Sequence, residues 1–462
     1  MSQTSTAAHS LHDGQSHEAK VDVEQASFEE QQNNTISSPT EEQDLEQTNA
    51  APAAVHAAHS DSFPDGGAKA YLCLLGAACC LFCSFGWLNC VGVFQNYYQL
   101  HQLSNYSPST IAWIPSVQLF IMFFPGPIVG WVYDNYGPRY LLIFGTFFHV
   151  FGLMMTSLCT KYYQFLLAQA ICSPIGLNAI FQAGTSTIPT WFLKKRGLAY
   201  GIMAAGSGLG GVIFPIMASH LIPEVGFPWT IRIIAFLILG MLIVALLTVE
   251  SRLPPTPRAL ALKVFVEPFK ETKFVLLMIA AFVFFLGIFI PINYIEVEAR
   301  HSGMSSRLAS YLIPILNAGS IFGRIIPGAL ADKVGKFNMQ AICSVLAGVI
   351  VLALAIPAST NAAWIAFAAL YGIASGAFVS ILPAQVAGIS KVEQIGVRVG
   401  VTFCCCSFAG LFGAPIAGAI IDADKGKFWG MNVFAGTLLM AGAFMFFLER
   451  MYIANWQLAK RI

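Results

Sequence analysis

The sequence predicts an all-α integral membrane protein with twelve transmembrane helices in two six-helix halves. Three observations carry that prediction. Hydrophobic residues make up 56% of the chain and charged residues 11%, against about 45–50% and about 25% in soluble proteins. The apolar residues gather in runs of spanning length, separated by short polar loops. One polar phrase is also written twice, as Gly130-Trp-Val-Tyr-Asp134-Asn-Tyr-Gly137-Pro-Arg139 and as Gly328-Ala-Leu-Ala-Asp332-Lys-Val-Gly335-Lys336, its two aspartates 198 residues apart.

A spanning helix needs about 20 apolar residues. Such stretches fall near 70–97, 109–133, 139–159, 163–191, 197–220 and 230–249. After a polar interval containing Pro254, Pro255 and Pro257 they resume near 273–298, 306–331, 337–357, 362–389, 396–421 and 430–453. The chain thus divides into an N-terminal half (70–249), a cytoplasmic linker (250–272) and a C-terminal half (273–462). An even number of spans puts both termini on one side. With that side cytoplasmic, the inside loops and C-terminus carry sixteen Lys and Arg and the outside loops five, the bias expected of cytoplasmic loops. The expected location is the plasma membrane, with both termini inside.

Residues 1–69 differ from the rest. Twelve acidic residues stand there against Lys20 and Lys69, among Gln, Ser, Thr, Asn and Ala, a composition that cannot offset chain entropy and predicts a disordered cytoplasmic tail. It has no basic start followed by an apolar run, so it does not read as a cleavable signal peptide. The eleven cysteines all lie in apolar segments, and Cys80-Leu-Phe-Cys83 has no second pair beside it, which favours free thiols over a metal site or disulfide framework. A net charge of +1 without a basic run argues against nucleic acid. No Gly-x-x-x-x-Gly-Lys-Ser/Thr loop is present for ATP. Neither His-Glu-x-x-His nor Gly-x-Ser-x-Gly occurs, so an enzyme is not expected. No cofactor or metal is expected, and nothing in the sequence identifies an accessory subunit.

The repeated phrase joins spans 2 and 3 in one half and spans 8 and 9 in the other, always on the inside. Its glycines permit a tight turn against a neighbouring helix, its aspartate can accept hydrogen bonds from a helix N-terminus, and its basic residue can pair across the gap. Asp134, Arg139, Asp332 and Lys336 are therefore expected to hold one face closed. This duplicated phrase resembles the signature of the major facilitator superfamily, whose secondary transporters rock two six-helix halves about a midplane site. Pro64-Asp65-Gly66-Gly67, and the run from Trp191 through Lys194, Lys195 and Arg196 to Gly201, resemble the two signatures of the monocarboxylate-porter family. Phe85-Gly86-Trp87-Leu88-Asn89 is similar to its fungal members. The chain departs from animal members in three places. Ala68-Lys69-Ala70-Tyr71 replaces a tryptophan-rich run, Ser320 stands where they carry a carboxylate, and span 1 has no lysine near Leu88 or Asn89. The resemblance therefore does not bring with it the proton-coupling apparatus of animal lactate carriers. It assigns Asp65 to gating or structure, and Arg196 is read as an inner-gate partner or a positive-inside anchor.

By these span limits Arg324 is the only formal charge deep in the bilayer. Such an arginine costs ~2.5–3.5 kcal/mol on insertion scales and usually marks a substrate or ion pathway. Its planar fork matches a carboxylate, and an anionic substrate is its expected counter-ion; the competing reading is a structural arginine bound to carbonyls. The resemblance points the same way, since a span-8 arginine contacts the substrate carboxylate in that family. Asn89 in span 1, Gln182 in span 4, and Asn293 and Tyr294 beside a helix-breaking or kinking Pro291 in span 7 are the further substrate-binding candidates. His149 reads as a packed histidine. The expected function is alternating-access transport of a small organic anion, monocarboxylate-like, across the bilayer, with protons as a candidate coupling ion. The alternatives are an efflux transporter for an acidic secondary metabolite and a membrane nutrient sensor.

Overall fold

A computed structural model describes residues 63–462 apart from 256 and 258; the expected tail lies, up to residue 62, outside the described residues. Eleven helices are long and apolar enough to cross a membrane, and the described residues contain no strand. Spans 1 to 4 are Ala68–Gly86, Thr110–Tyr136, Pro138–Thr156 and Tyr162–Trp191. Spans 5 and 6 form one helical run, Arg196–Thr248, broken at Gly226 with φ 76° and ψ 165°. That backbone region is essentially restricted to glycine, so Gly226 turns one apolar stretch into two spans. Spans 7 to 12 are Thr272–His301, Ser306–Val334, Lys336–Ala355, Asn361–Gly388, Val392–Ala423 and Trp429–Ile453. The twelve predicted spans are therefore present, two of them running together through Gly226.

Span 1 closes with a π-helical turn, Phe82–Gly86, and a further helix, Val91–Leu100, continues it beyond a turn at Asn89 and Cys90. Span 7 excludes one of the two readings of Pro291, the break: Thr272–His301 passes through it as one helix. The proline removes one backbone donor, but packing on both sides keeps the segment helical, and Pro291 is itself buried. The linker carries a short helix, Leu262–Val266, before span 7. All eleven cysteines are free thiols.

The aspartates of the repeated phrase, Asp134 and Asp332, lie at the ends of spans 2 and 8, on what is here termed the motif face. Apolar side chains from Ala70 to Phe446 form one contiguous core through both halves. The Gly226 turn makes a direct prediction. Gly226→Ala should lower the thermal midpoint of the purified protein, at a cost of about 1–3 kcal/mol. Gly240→Ala, in open helical surroundings, should leave the midpoint unchanged or slightly raised.

Candidate functional site

The two halves meet along two seams built on one plan. In the first, Asp134 accepts hydrogen bonds from the backbone N–H of Gly396 (2.8 Å) and Val397 (3.0 Å) at the start of span 11. In the second, Asp332 accepts from Gly197 (2.7 Å) and Leu198 (2.9 Å) at the start of span 5. Those N–H groups have no partner within their own helix, and the helix dipole adds positive charge there. Each aspartate thus caps a helix of the opposite half.

The glycines of the phrase allow that approach. A Cβ at Gly328 would stand 2.6 Å from the Gly197 carbonyl oxygen, and one at Gly130 would collide with that of Gly396. Gln182 strengthens the first seam, its amide donating to the Gly396 carbonyl. This places Gln182 within the seam, rather than free to meet a ligand in this conformation. Arg196 crosses the second seam: it is buried, donating to the Phe192 carbonyl (3.0 Å) of its own half and to the Ala387 carbonyl (3.1 Å) of span 10.

The expected pairing by Arg139 and Lys336 is not found. Arg139 is exposed and has no ion-pair partner among the described residues. Lys336 turns toward Gly388, where a Cβ would lie 3.3 Å from its ammonium. Backbone amides supply the positive partner instead. The residues ahead of spans 1 and 7 add a second grip. Asp65 accepts from the N–H groups of Leu193 (2.8 Å), Lys194 (2.8 Å) and Lys195 (3.1 Å), just before span 5. Glu271 receives both terminal nitrogens of Arg398, near the start of span 11. The Arg398 guanidinium holds the Glu271 carboxyl below its usual range.

Deeper in, the seams diverge. Eight residues before its aspartate the first seam has Gly126, and the second has Arg324. Arg324 is buried, donates to the Ala204 carbonyl of span 5 at 3.2 Å, and leaves its Nε without a partner. No ion pair to Arg324 is found among the described residues. Gly208 makes room for it, since a Cβ there would meet the guanidinium at 2.7 Å. Span-5 glycines thus house polar side chains of span 8. Gly211 does the same for Asn317. Asn317 accepts from Asn89 at 3.0 Å, joining spans 8 and 1 across the halves.

In the first seam the corresponding depth is aromatic. Phe403 stacks on Phe123 at 5.1 Å and meets Phe181 at 4.9 Å. Phe123 also meets Phe85 at 5.5 Å and Phe285 at 6.0 Å. These five buried rings come from spans 11, 2, 4, 1 and 7, and hence from both halves. Sequence reading missed this floor, because Phe is common throughout the chain and periodicity does not distinguish a shared centre from ordinary core. Tyr294 donates to the Ala414 carbonyl at 3.1 Å, fastening span 7 to span 11, while Asn293 beside it is exposed. His149 is buried with Nδ1 2.9 Å from the Ser173 hydroxyl, as a packed histidine should be. Arg324 is not the only buried charge-bearing side chain: Glu298, Glu449, Arg398 and Arg450 are also buried.

Two helical halves that touch through helix caps around a mixed aromatic and polar centre have the architecture of an alternating-access membrane transporter. The sequence signature of the Major Facilitator Superfamily matches residues 77–414. MFS-type transporter 1 of Ophiocordyceps sp. is 54% identical over 87% of this chain and 89% of its own. The fujikurins efflux protein of Gibberella fujikuroi is 45% identical over 87% of each chain. The aspyridones efflux protein of Emericella nidulans is 42% identical over 86% of this chain and 80% of its own. Among solved structures, the human organic anion transporter MFSD10 superposes with a TM-score of 0.67 at 14% identity, covering 82% of this chain and 98% of that one. The fucose:proton symporter of E. coli gives 0.63 at 14% identity, covering 80% and 97%. The chain belongs to the Major Facilitator Superfamily and is a multi-pass membrane transporter.

Two predictions follow from the caps. Asp134→Asn and Asp332→Asn keep an acceptor oxygen but lose the charge that a helix start favours by about 0.3–1 kcal/mol, more where partly buried. Each should speed labelling from the motif face of a thiol placed at Ser186, which is buried one turn past Gln182, by a few-fold in a cysteine-free background. Unchanged labelling would remove the caps from gating. The Glu271 contact has a definite sign with pH. Its folded pKa is lowered, so its stabilisation is present above the unfolded carboxylate range and fades as pH falls through the folded value. Below about pH 4 the thermal midpoint of wild type should fall more steeply than that of Glu271→Gln.

Proposed function

We propose that this transporter exports an apolar, ring-bearing secondary metabolite with one acidic head group from the cytoplasm across the plasma membrane. The observation that carries the reading is the floor of Phe85, Phe123, Phe181, Phe285 and Phe403, with Asn89, Asn317 and Arg324 on the adjoining second seam. Stacked and edge-on rings favour a flat apolar body, and a lactate-sized anion would bury little against them. This favours the alternative of an efflux transporter for an acidic secondary metabolite over the monocarboxylate-like main expectation. The names of the fujikurin and aspyridone carriers support export over uptake.

Arg324 supplies a direction for the cycle. With the motif face closed, its guanidinium is bound to the Ala204 carbonyl across the seam. When spans 5 and 8 part, that carbonyl withdraws, and the freed fork can take an anion arriving from the cytoplasm. Closing restores the carbonyl as a competitor, so the anion is released on the other side. The bias of basic loops supports placing the motif face and both termini in the cytoplasm. Asn89 and Gln182, whose partners Asn317 and Gly396 lie in the other half, change partners in the same movement, while Tyr294 stays bonded within the second half and Asn293 lies on the outer half of span 7.

Metabolite profiling tests the reading. Deleting the gene should raise the cell-to-medium ratio of an aromatic acid, whereas lost growth on a small carboxylate with unchanged secretion would restore the uptake reading. Arg324→Lys replaces a two-pronged donor by a point charge and should cut export about tenfold or more at unchanged surface level. Phe403→Ala should raise the half-saturating concentration of the exported compound about tenfold, roughly the 1–3 kcal/mol of one ring's stacking and burial.

A further inference from the structure

The last turns of span 12 hold a carboxyl that the transport cycle above does not use. Glu449 is fully buried, and neither of its oxygens has a hydrogen-bond partner. Two more buried polar side chains lie close in depth and are also incompletely satisfied. Gln340 on span 9 donates to Ser344 at 3.0 Å but leaves its own oxygen bare. Gln385 on span 10 has neither its oxygen nor its nitrogen partnered.

Contacts on either side fix the register. Arg450 donates to Asn338 at 2.6 Å, and Gly348 packs on Met440, so antiparallel spans 9 and 12 bring Gln340 level with Glu449. Phe378 and Phe446, 6.4 Å apart, align spans 10 and 12 and put Gln385 about one turn nearer the motif face. Span 12 packs against spans 7, 9 and 11. The charges of those elements at this end are engaged elsewhere. Lys273 lies 3.4 Å from Glu271, and Arg398 pairs with the same carboxylate. Lys336 rests against Gly388, and Arg450 reaches Asn338 and the carbonyls of Gln457, Leu458 and Lys460. The thiols of Cys343 and of Cys404 to Cys406 bring no positive charge.

An ionised carboxylate without a donor or a cation is among the costliest groups a protein can bury, while the neutral acid is far cheaper. We propose that Glu449 is a proton-binding site in the second half, carrying its proton in the conformation described, with Gln340 of the adjoining span 9 level with it. Release breaks the Glu449 O–H bond and passes the proton to water, leaving the carboxylate. Water reaches the site when the motif face opens, because Arg450 ties this turn of span 12 to Asn338 on span 9, just past the end of span 8 that carries Asp332. The site stands independently of what the transporter exports.

Infrared spectroscopy of the purified full chain in lipid at neutral pH reads this directly. A protonated glutamic acid absorbs apart from carboxylates, and labelling the protein with carboxyl-13C glutamate shifts its band away from that of aspartic acid. Glu298, the other buried glutamate, accepts from Asn432 at 2.6 Å, so Glu298→Gln serves as the comparison. In E298Q the band should persist, and it should vanish when E449Q is added to that background. A band that survives in the E298Q/E449Q double variant, or no glutamic acid band in labelled E298Q, overturns the proposal; the second outcome needs no change at Glu449 and holds even where E449Q fails to fold. Asp332→Asn should shrink the band, and an unchanged band there would overturn the link to the motif face.

Discussion

The structure depends on a carboxylate placed against the bare N–H groups at the start of a helix that belongs to the other half. Asp134 and Asp332 each make this contact with two consecutive amides. A salt bridge between side chains would be shielded by solvent at the membrane surface. A helix start cannot turn away, and its dipole adds to the hydrogen bonds. The interaction joins the halves through groups that water can also satisfy.

The two seams share this outer contact and then differ by what stands two turns deeper. Gly126 in one half corresponds to Arg324 in the other, and Phe403 of span 11 corresponds to Ala204 of span 5, each seven residues after the first glycine that is capped. Gly126 packs on Gly400 below Phe403, while Arg324 fills the space left by Gly208 and bonds the Ala204 carbonyl. Duplication supplied a symmetric frame, and exchange of size and polarity made one seam aromatic and the other polar. A ligand lying between them meets rings on one side and amides and a guanidinium on the other.

The segments outside the bundle are built into the same frame. Asp65, three residues ahead of span 1, holds the chain entering span 5, and Glu271, directly ahead of span 7, holds span 11 through Arg398. The grip is thus repeated in both halves although the residues differ. One uses backbone donors and the other a side-chain pair. Movements of the linker are therefore mechanically joined to the helix starts that the repeated aspartates cap.

Much of this was legible in the residues. Apolar run length fixed the spans, because the bilayer admits only segments that satisfy their own backbone, and the repeated phrase located the face on which the halves touch and the aspartates that cap across it. Arg324 was visible because a lone arginine in an apolar run is costly. What the sequence could not decide was who stands opposite whom. The partners of Arg324, Asn89 and Gln182 lie on distant spans, the five phenylalanines look like ordinary core until the halves are brought together, and Pro291 breaks nothing because its surroundings hold the helix. Glu449 reads as a polar exit from span 12, next to Arg450, and only packing turns it inward. Local pattern determines which segments enter the membrane, since that is a property of each segment alone; the site and its chemistry are relations between segments, and those the tertiary structure sets.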